Sequence, residues 1–371
     1  MASIFQDMTA LAVRLGAINL AQGIPEPLND AVLSQSLRLS ADCDWQYADT
    51  AGDSLLRAAL CRDYQLVIGQ DQILITSGCT ESLLAALHAA RRRYGDAVAA
   101  LEPFYPYYRG FAEILGLRLL PIGMTVTDRQ WRLDEQSVGA QLEAGVRILL
   151  VNSPHNPTGW VLDEDSGARL LALCRAKDAL LIIDNVYADF VYDRDDVFRV
   201  REDHLDQHCV VASSVSKMFA ASGLRLGWLL GPASIVAEAR TAHMHMSNCQ
   251  PLAVQVAVRR MLEVNDKAWR RRVRAHYRGK RDLLFAALAS RGFDCTLPSA
   301  GHFIVAGFDN ISDETSSMEF AYEFAKENGI VGLPMHDFYR EEPPRTLRFS
   351  FAVPKSVIER ACRNLMEGAV S

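Results

Sequence analysis

Lys217 stands in the stretch SSVSKMFAASGLRLGW, Ser213 to Trp228, among hydroxyls and small residues, with Arg225 eight positions on. The chain carries 39 Lys plus Arg but only six lysines, the first of them Lys177. In so arginine-rich a chain the choice of lysine is informative. A guanidinium stays charged in any protein setting, whereas a desolvated lysine amine sheds its proton and becomes a nucleophile. Other reactive types stand just beyond short apolar runs. Ser77-Gly78-Cys79-Thr80 follows ILIT, and Phe104-Tyr105 follows AALEP. NSPHNPTG closes RILLVN, Asp184 with NVY closes ALLIID, and CVVASS runs into Ser214 and Lys217.

A reactive amine forms a Schiff base with a carbonyl, and the most versatile carbonyl partner is pyridoxal 5'-phosphate, an electron sink. That cofactor makes four demands. Its ring nitrogen needs a carboxylate, and Asp184 follows four apolar residues, where an unpaired anion is costly and a cationic partner is expected; the plainer reading is a cap on a following helix. Its phosphate needs donors. The start of the helix beginning at Ser77-Gly78-Cys79-Thr80 offers free N–H groups, to which Ser214 and Arg225 add a hydroxyl and a guanidinium. The plainer reading, an N-cap serine or threonine with Glu81 helping to complete a capping box, is compatible with this one. Its ring oxygen needs donors such as Asn156 and Tyr187, although Asn-Pro-Thr-Gly alone is more often a turn. Its ring face needs a flat partner, and Tyr105 suits, unless EPFYPYY is simply core or subunit contact.

These groups must be brought together by a scaffold. The runs 73–76, 97–103, 147–152, 179–184 and 209–214 are short and free of charge at their centres, as in buried parallel strands. Helix-like stretches such as TESLLAALHAARRRY and DSGARLLALCRAKD lie between them. Alternation of this kind predicts an α/β fold, with a large, mainly parallel sheet covered by helices on both faces. Polar groups at the C-terminal ends of such strands converge on a ligand crevice. From Asp266 the character changes to a long charged helix, then GHFIVAGF, TLRFSFAV and a closing helix from Pro354. The expected division is a large α/β domain over 31–265. A smaller α+β domain is formed by the C-terminal part, 266–371, with the N-terminal segment, 1–30.

Composition narrows the function classes. The 371 residues are 49% hydrophobic with a formal net charge of -6, which argues against a nucleic-acid binder. The basic run Arg91–Tyr94 reads as the solvated end of a helix. Eight scattered cysteines without a C-x-x-C pair read as reduced, mostly buried thiols of a cytoplasmic protein. No signal peptide and no apolar run near the ~20 residues of a membrane span is expected. A nicotinamide dehydrogenase would show G-x-G-x-x-G after an early strand, and none is present. A regulator built on a cofactor fold would need room for a DNA-binding module.

Taken together in order and spacing, Ser214-x-x-Lys217 with Arg225, NSPHNPTG and DNVY resemble the fold-type I pyridoxal-phosphate enzymes, specifically class I/II aminotransferases. The opening SIFQDMTALAVRLGAINLAQGIPEP is similar to the branch holding methionine and kynurenine aminotransferases, the glutamine transaminase K-like enzymes. The resemblance spans nearly the whole chain. It implies that Lys217 is the Schiff-base lysine and proton shuttle, Asp184 the pyridinium partner, and Asn156 and Tyr187 the ring-oxygen donors. Gly78, Cys79, Thr80, Ser214 and Arg225 would form the phosphate cup, and Tyr105 would stack on the ring. Arg348, in TLRFSFAV, would grip the substrate carboxylate under a strip containing Gly23 and Ile24. Tyr47 would reach across a homodimer interface to the neighbour's phosphate. The branch usually has an aromatic residue at Ile24 and aspartate at Glu26, and His302 and His336 replace small or hydroxyl residues. Those departures concern the substrate side chain. The implied activity is amino-group transfer between an α-amino acid and a 2-oxo acid; a C–S lyase, replacement enzyme or oxidase would use the same scaffold.

Overall fold

A computed structural model describes residues 4–28, 30–205, 207–312, 316–341 and 343–367. Seven strands form its central sheet: β1 (Ile73–Thr76), β2 (Ala97–Leu101), β3 (Arg118–Ile122), β4 (Ile148–Asn152), β5 (Leu180–Asp184), β6 (Cys209–Ser214) and β7 (Gly227–Leu230). Their order is β1-β7-β6-β5-β4-β2-β3. All neighbours are parallel except β7, which runs antiparallel to both β1 and β6. The charge-free runs form these strands because both sheet faces are covered: every residue of β2, β4, β5 and β6 is buried.

Two strands are additions to the sequence reading. The edge strand β3 contains Pro121, whose missing N–H is tolerated at an edge. β7 is only four residues long and follows Arg225 directly; its Trp228 is fully buried and donates to Tyr64 Oη at 3.0 Å. The helix Gly78–Tyr94 starts two residues earlier than its apolar pattern suggests and ends in exposed Arg91–Arg93, as expected.

The C-terminal part builds a four-stranded antiparallel sheet from β8 (Asp294–Cys295), β9 (Phe303–Gly307), β10 (Leu333–Pro334) and β11 (Thr346–Ser350), ordered β8-β9-β11-β10. The N-terminal helix Ile4–Leu15 buries Ile4, Met8, Leu11 and Ala12 in the same apolar cluster as Phe320, Phe324, Phe349 and Ile358. Each of the larger side chains withdrawn from water contributes about 1.5–3 kcal/mol, and the methyl of Ala12 less. Ile18–Asn19 pairs in parallel with Ile330–Val331, which fixes the chain entering the strip 20–26. The 24-residue helix Lys267–Ser290 is capped by Asp266, and its Arg270 bonds Asp63 and Asp189 of the larger part.

Candidate active site

The C-terminal ends of β1, β2, β4, β5 and β6 face a cavity of about 450 Å³. Its lining includes Lys217, Asp184, Tyr187, Asn156, Tyr105, Cys79, Thr80, Ser214, Arg225, Gly23, Ile24 and Arg348. Lys217 sits on the turn Val215–Met218 that Ser214 caps through its hydroxyl. The amine donates to Gly23 O at 2.6 Å and lies 5.9 Å from the Tyr187 ring centroid. Burial, and then the charge of Arg348, lowers its pKa to about 8. Roughly a tenth of the amine is therefore neutral at pH 7, far more than for an ordinary lysine, as nucleophilic and proton-transfer chemistry requires.

Asp184 ends β5, is 5% exposed, and does not cap a helix. The cation expected beside it is not supplied by the described side chains. Its hydrogen-bond donors are neutral: Tyr108 Oη at 2.7 Å on Oδ2, and Cys79 Sγ at 3.5 Å with Val186 N at 3.4 Å on Oδ1. Burial raises its pKa, and those donors oppose the rise. Tyr187 is held above the usual phenol range by burial, so it remains a donor.

At the start of the helix Gly78–Tyr94, Gly78 has φ +81°, and a Cβ there would lie 2.7 Å from Arg225 Nη2. Gly227 serves the same close approach, since its Cβ would fall 2.4 Å from the Gly78 carbonyl carbon. The capping box expected from Ser77 and Glu81 is half formed. Glu81 accepts the Ser77 N–H, but the Ser77 hydroxyl makes no cap bond. Glu81 also bonds His243 and Ser247.

Arg348 is 1% exposed and crosses the Phe303 ring at 3.9 Å. It donates to Asn156 Oδ1 at 2.9 Å and to Ala21 O at 2.8 Å. The amide oxygen of Asn156 is thus committed, leaving Nδ2 as a donor. Gly23 is required beneath Phe303: a Cβ would sit 2.2 Å from that ring. The strip continues to Glu26, whose carboxylate takes Lys280 Nζ at 2.5 Å and His276 Nε2 at 2.6 Å.

Comparison with known proteins identifies this constellation. Residues 16–365 match the family described as aminotransferase class I and II. This chain is a class I and II aminotransferase. It is similar to the valine–pyruvate aminotransferase of Mycobacterium tuberculosis, 31% identical over 358 residues that cover 95% of this chain and 90% of that one. It is also similar to the methionine aminotransferase of Escherichia coli, 28% identical over 374 residues, covering 98% and 95%. The solved N-succinyldiaminopimelate aminotransferase of Mycobacterium tuberculosis superimposes with a TM-score of 0.91 at 28% identity, covering 98% of this chain and 96% of that one. Family members depend on pyridoxal phosphate and move an amino group between an amino acid and a 2-oxo acid.

The aminotransferase cavity fits that cofactor on its own evidence. It holds a buried carboxylate with neutral donors only, a buried amine of lowered pKa, and a glycine-opened approach of Arg225 to a helix start. Some expected residues lie elsewhere. Gly78 is buried beside Arg225 without lining the cavity. Tyr47 is 86% exposed, away from its own chain's cavity. His336 pairs with Asp337 at 3.4 Å outside the lining. His302 is fully buried behind the site, stacked on Tyr277 at 4.8 Å and edge-on to Tyr187 at 5.3 Å. Burial, then Lys217 and Lys280, drives its pKa well down, so it stays neutral. Sequence reading missed Tyr108, and also Asn152, which donates to Asp184 O at 2.9 Å and accepts from Asn156 N at 2.6 Å.

The eight cysteines are free thiols, four of them buried and four half-buried. No helix among the described residues is long and apolar enough to cross a membrane.

Proposed function

We propose that this aminotransferase acts through Lys217, Asp184 and Arg348, and the observation carrying that reading is their convergence on one cavity. Bound pyridoxal phosphate supplies a carbonyl for amine exchange and a ring that withdraws electrons. Arg348 takes the substrate α-carboxylate in a bidentate pair, exchanging its bond to Ala21 O for it. Lys217, largely buried and tuned to about 8, removes the α-proton and returns it. Asp184 would pair with the ring nitrogen, and Asn156 Nδ2 with the Tyr187 hydroxyl would donate to the ring oxygen. Tyr105 would cover the ring. Thr80, Ser214 and Arg225, with the backbone N–H groups of Gly78 and Cys79, would hold the phosphate.

The donor class we infer is neutral α-amino acids. Phe5, Ile24, Leu83, Tyr107 and Phe111 give the rest of the lining a large apolar part, its remaining polar side chains Gln22, Ser216 and Ser222 are uncharged, and the cationic side chains of the cavity are already assigned. Relatives with several donors carry the same core activity, so a panel of L-amino acids with a 2-oxo acid acceptor is the test. Turnover with neutral donors, lost in Lys217→Ala, supports the reading; comparable turnover by Lys217→Ala contradicts it.

We further propose a homodimer with Tyr47 reaching the partner's phosphate site. Tyr47, Trp45, Met244 and Met246 are exposed, and Arg240 ties the helix Ala233–Met246 to Thr50 at 2.6 Å. A monomeric mass by sedimentation would refute it. The division into 31–265 and 1–30 with 266–371 belongs to the same proposal. It is supported by the apolar cluster that the N-terminal helix shares with the C-terminal sheet. The free thiols favour a cytoplasmic location.

A further inference from the structure

The central carboxylate is held by Tyr108, a residue with no role assigned above, and by the side chain of Cys79, of which only the backbone N–H has been used. We propose that Tyr108 is a positioning residue which, together with Cys79, keeps Asp184 an oriented anion facing the cofactor ring. The inference rests on the assignment of Asp184 as the ring-nitrogen partner.

The geometry is specific. Tyr108 lies in the first turn of the helix Tyr107–Leu115 and is 2% exposed. Its ring is fixed edge-on to Tyr105 at 5.9 Å and tilted against Phe111 at 6.3 Å. From there the hydroxyl donates to Asp184 Oδ2 at 2.7 Å. Cys79, at the opposite side, donates its thiol to Oδ1 at 3.5 Å, and Val186 N–H approaches the same oxygen at 3.4 Å. Each carboxylate oxygen therefore has a donor.

The chemistry of the donors matters as much as their placement. A buried carboxylate without partners takes up a proton. A cation would prevent that, but it would also neutralise the charge that a protonated ring nitrogen needs. A phenol and a thiol donate hydrogen bonds and bring no charge, so the full negative charge stays available. Burial and the charge of Asp184 hold both donors well above their usual pKa values, so their protons remain in place at neutral pH. The other groups facing Asp184 are the Tyr105 and Tyr187 phenols, with Lys217, Arg225 and Arg348 in the same cavity. None of those three cations bonds Asp184 among the described residues.

The test uses the purified full-length apoprotein and pyridoxal phosphate itself. Cofactor affinity is titrated by absorbance over the whole pH range in which the apoprotein stays folded. Binding needs ionised Asp184, so affinity falls on the acid side of its pKa. Tyr108→Phe keeps the ring and removes one donor. It should move that acid limb up by about one pH unit, a roughly tenfold loss at the foot of the limb. Cys79→Ala should shift the limb in the same direction, and Cys79→Ser should restore it. Should Tyr108→Phe fail to fold, the Cys79 pair carries the same test. A merely structural tyrosine would lower affinity equally at every pH; a uniform loss, or limbs superimposable on wild type, overturns the proposal. Failure of the wild-type chain to bind the cofactor would instead sink the underlying assignment, and the inference with it.

Discussion

Replacing Gly78 by alanine should weaken cofactor binding through Arg225, and the size of the effect follows from local geometry. Gly78 has φ +81°, and the added methyl would lie 2.7 Å from Arg225 Nη2, 3.2 Å from Cζ and 3.3 Å from Nη1. The backbone strain of a left-handed alanine costs about 1–2 kcal/mol in stability. The guanidinium is the far end of a flexible chain, so it yields rather than the backbone. Arg225 also bonds Ser77 O at 3.2 Å and Ser222 O at 3.1 Å, and displacement breaks this arrangement at the phosphate cup. Loss of one charge-assisted hydrogen bond is about 1.5–3 kcal/mol, or roughly ten- to hundredfold in affinity. The assay is a double-mutant cycle with Arg225→Ala, reading the dissociation constant of pyridoxal phosphate for apoprotein whose folding is checked by urea titration. If the glycine acts through the guanidinium, Gly78→Ala costs little further affinity once Arg225 is gone. Equal losses in both backgrounds, or no loss in either, would refute the reasoning.

Other outcomes follow from the same contacts. In Gly23→Ala the methyl collides with Phe303, whose ring carries the Arg348 guanidinium at 3.9 Å. The KM for the amino donor should rise by roughly tenfold or more while kcat changes less, and an unaltered KM would contradict the account. For Lys217 the folded pKa of about 8 lies below the ordinary 10.5, so the folded apoprotein binds fewer protons than the unfolded chain between those values. Stability from this group therefore rises with pH across that window, and below it the buried charged amine costs about 3 kcal/mol. Lys217→Met apoprotein should be more stable than wild type at neutral pH, by a margin that shrinks above pH 8. A margin independent of pH in urea titrations would count against it.

Much of this site was legible because parallel strands buried on both faces write themselves as charge-free runs, and their last residues must then face the crevice. Asp184 stands out at the end of β5 for that reason. Lys217 was readable from residue type, since lysine among arginines carries chemistry that arginine lacks. Tyr108 was not. Tyr105, Tyr107 and Tyr108 are adjacent in sequence, and only the turn into the following helix decides that the first lines the cavity while the third reaches Asp184. Glu26 read as a departure bearing on the substrate side chain, yet it pairs with Lys280, 254 positions away, a contact that no local pattern encodes. Glu81 matched a capping box by composition, but the helix begins at Gly78 and places it one position too far along.

The central claim is that the amine of Lys217 is the group that engages the cofactor. Borohydride reduction of the cofactor-loaded enzyme, followed by peptide mass spectrometry, tests it most directly. The account predicts the pyridoxyl label on the peptide bearing Lys217 and its disappearance in Lys217→Ala. A label on any of the other five lysines, or on none, would contradict it.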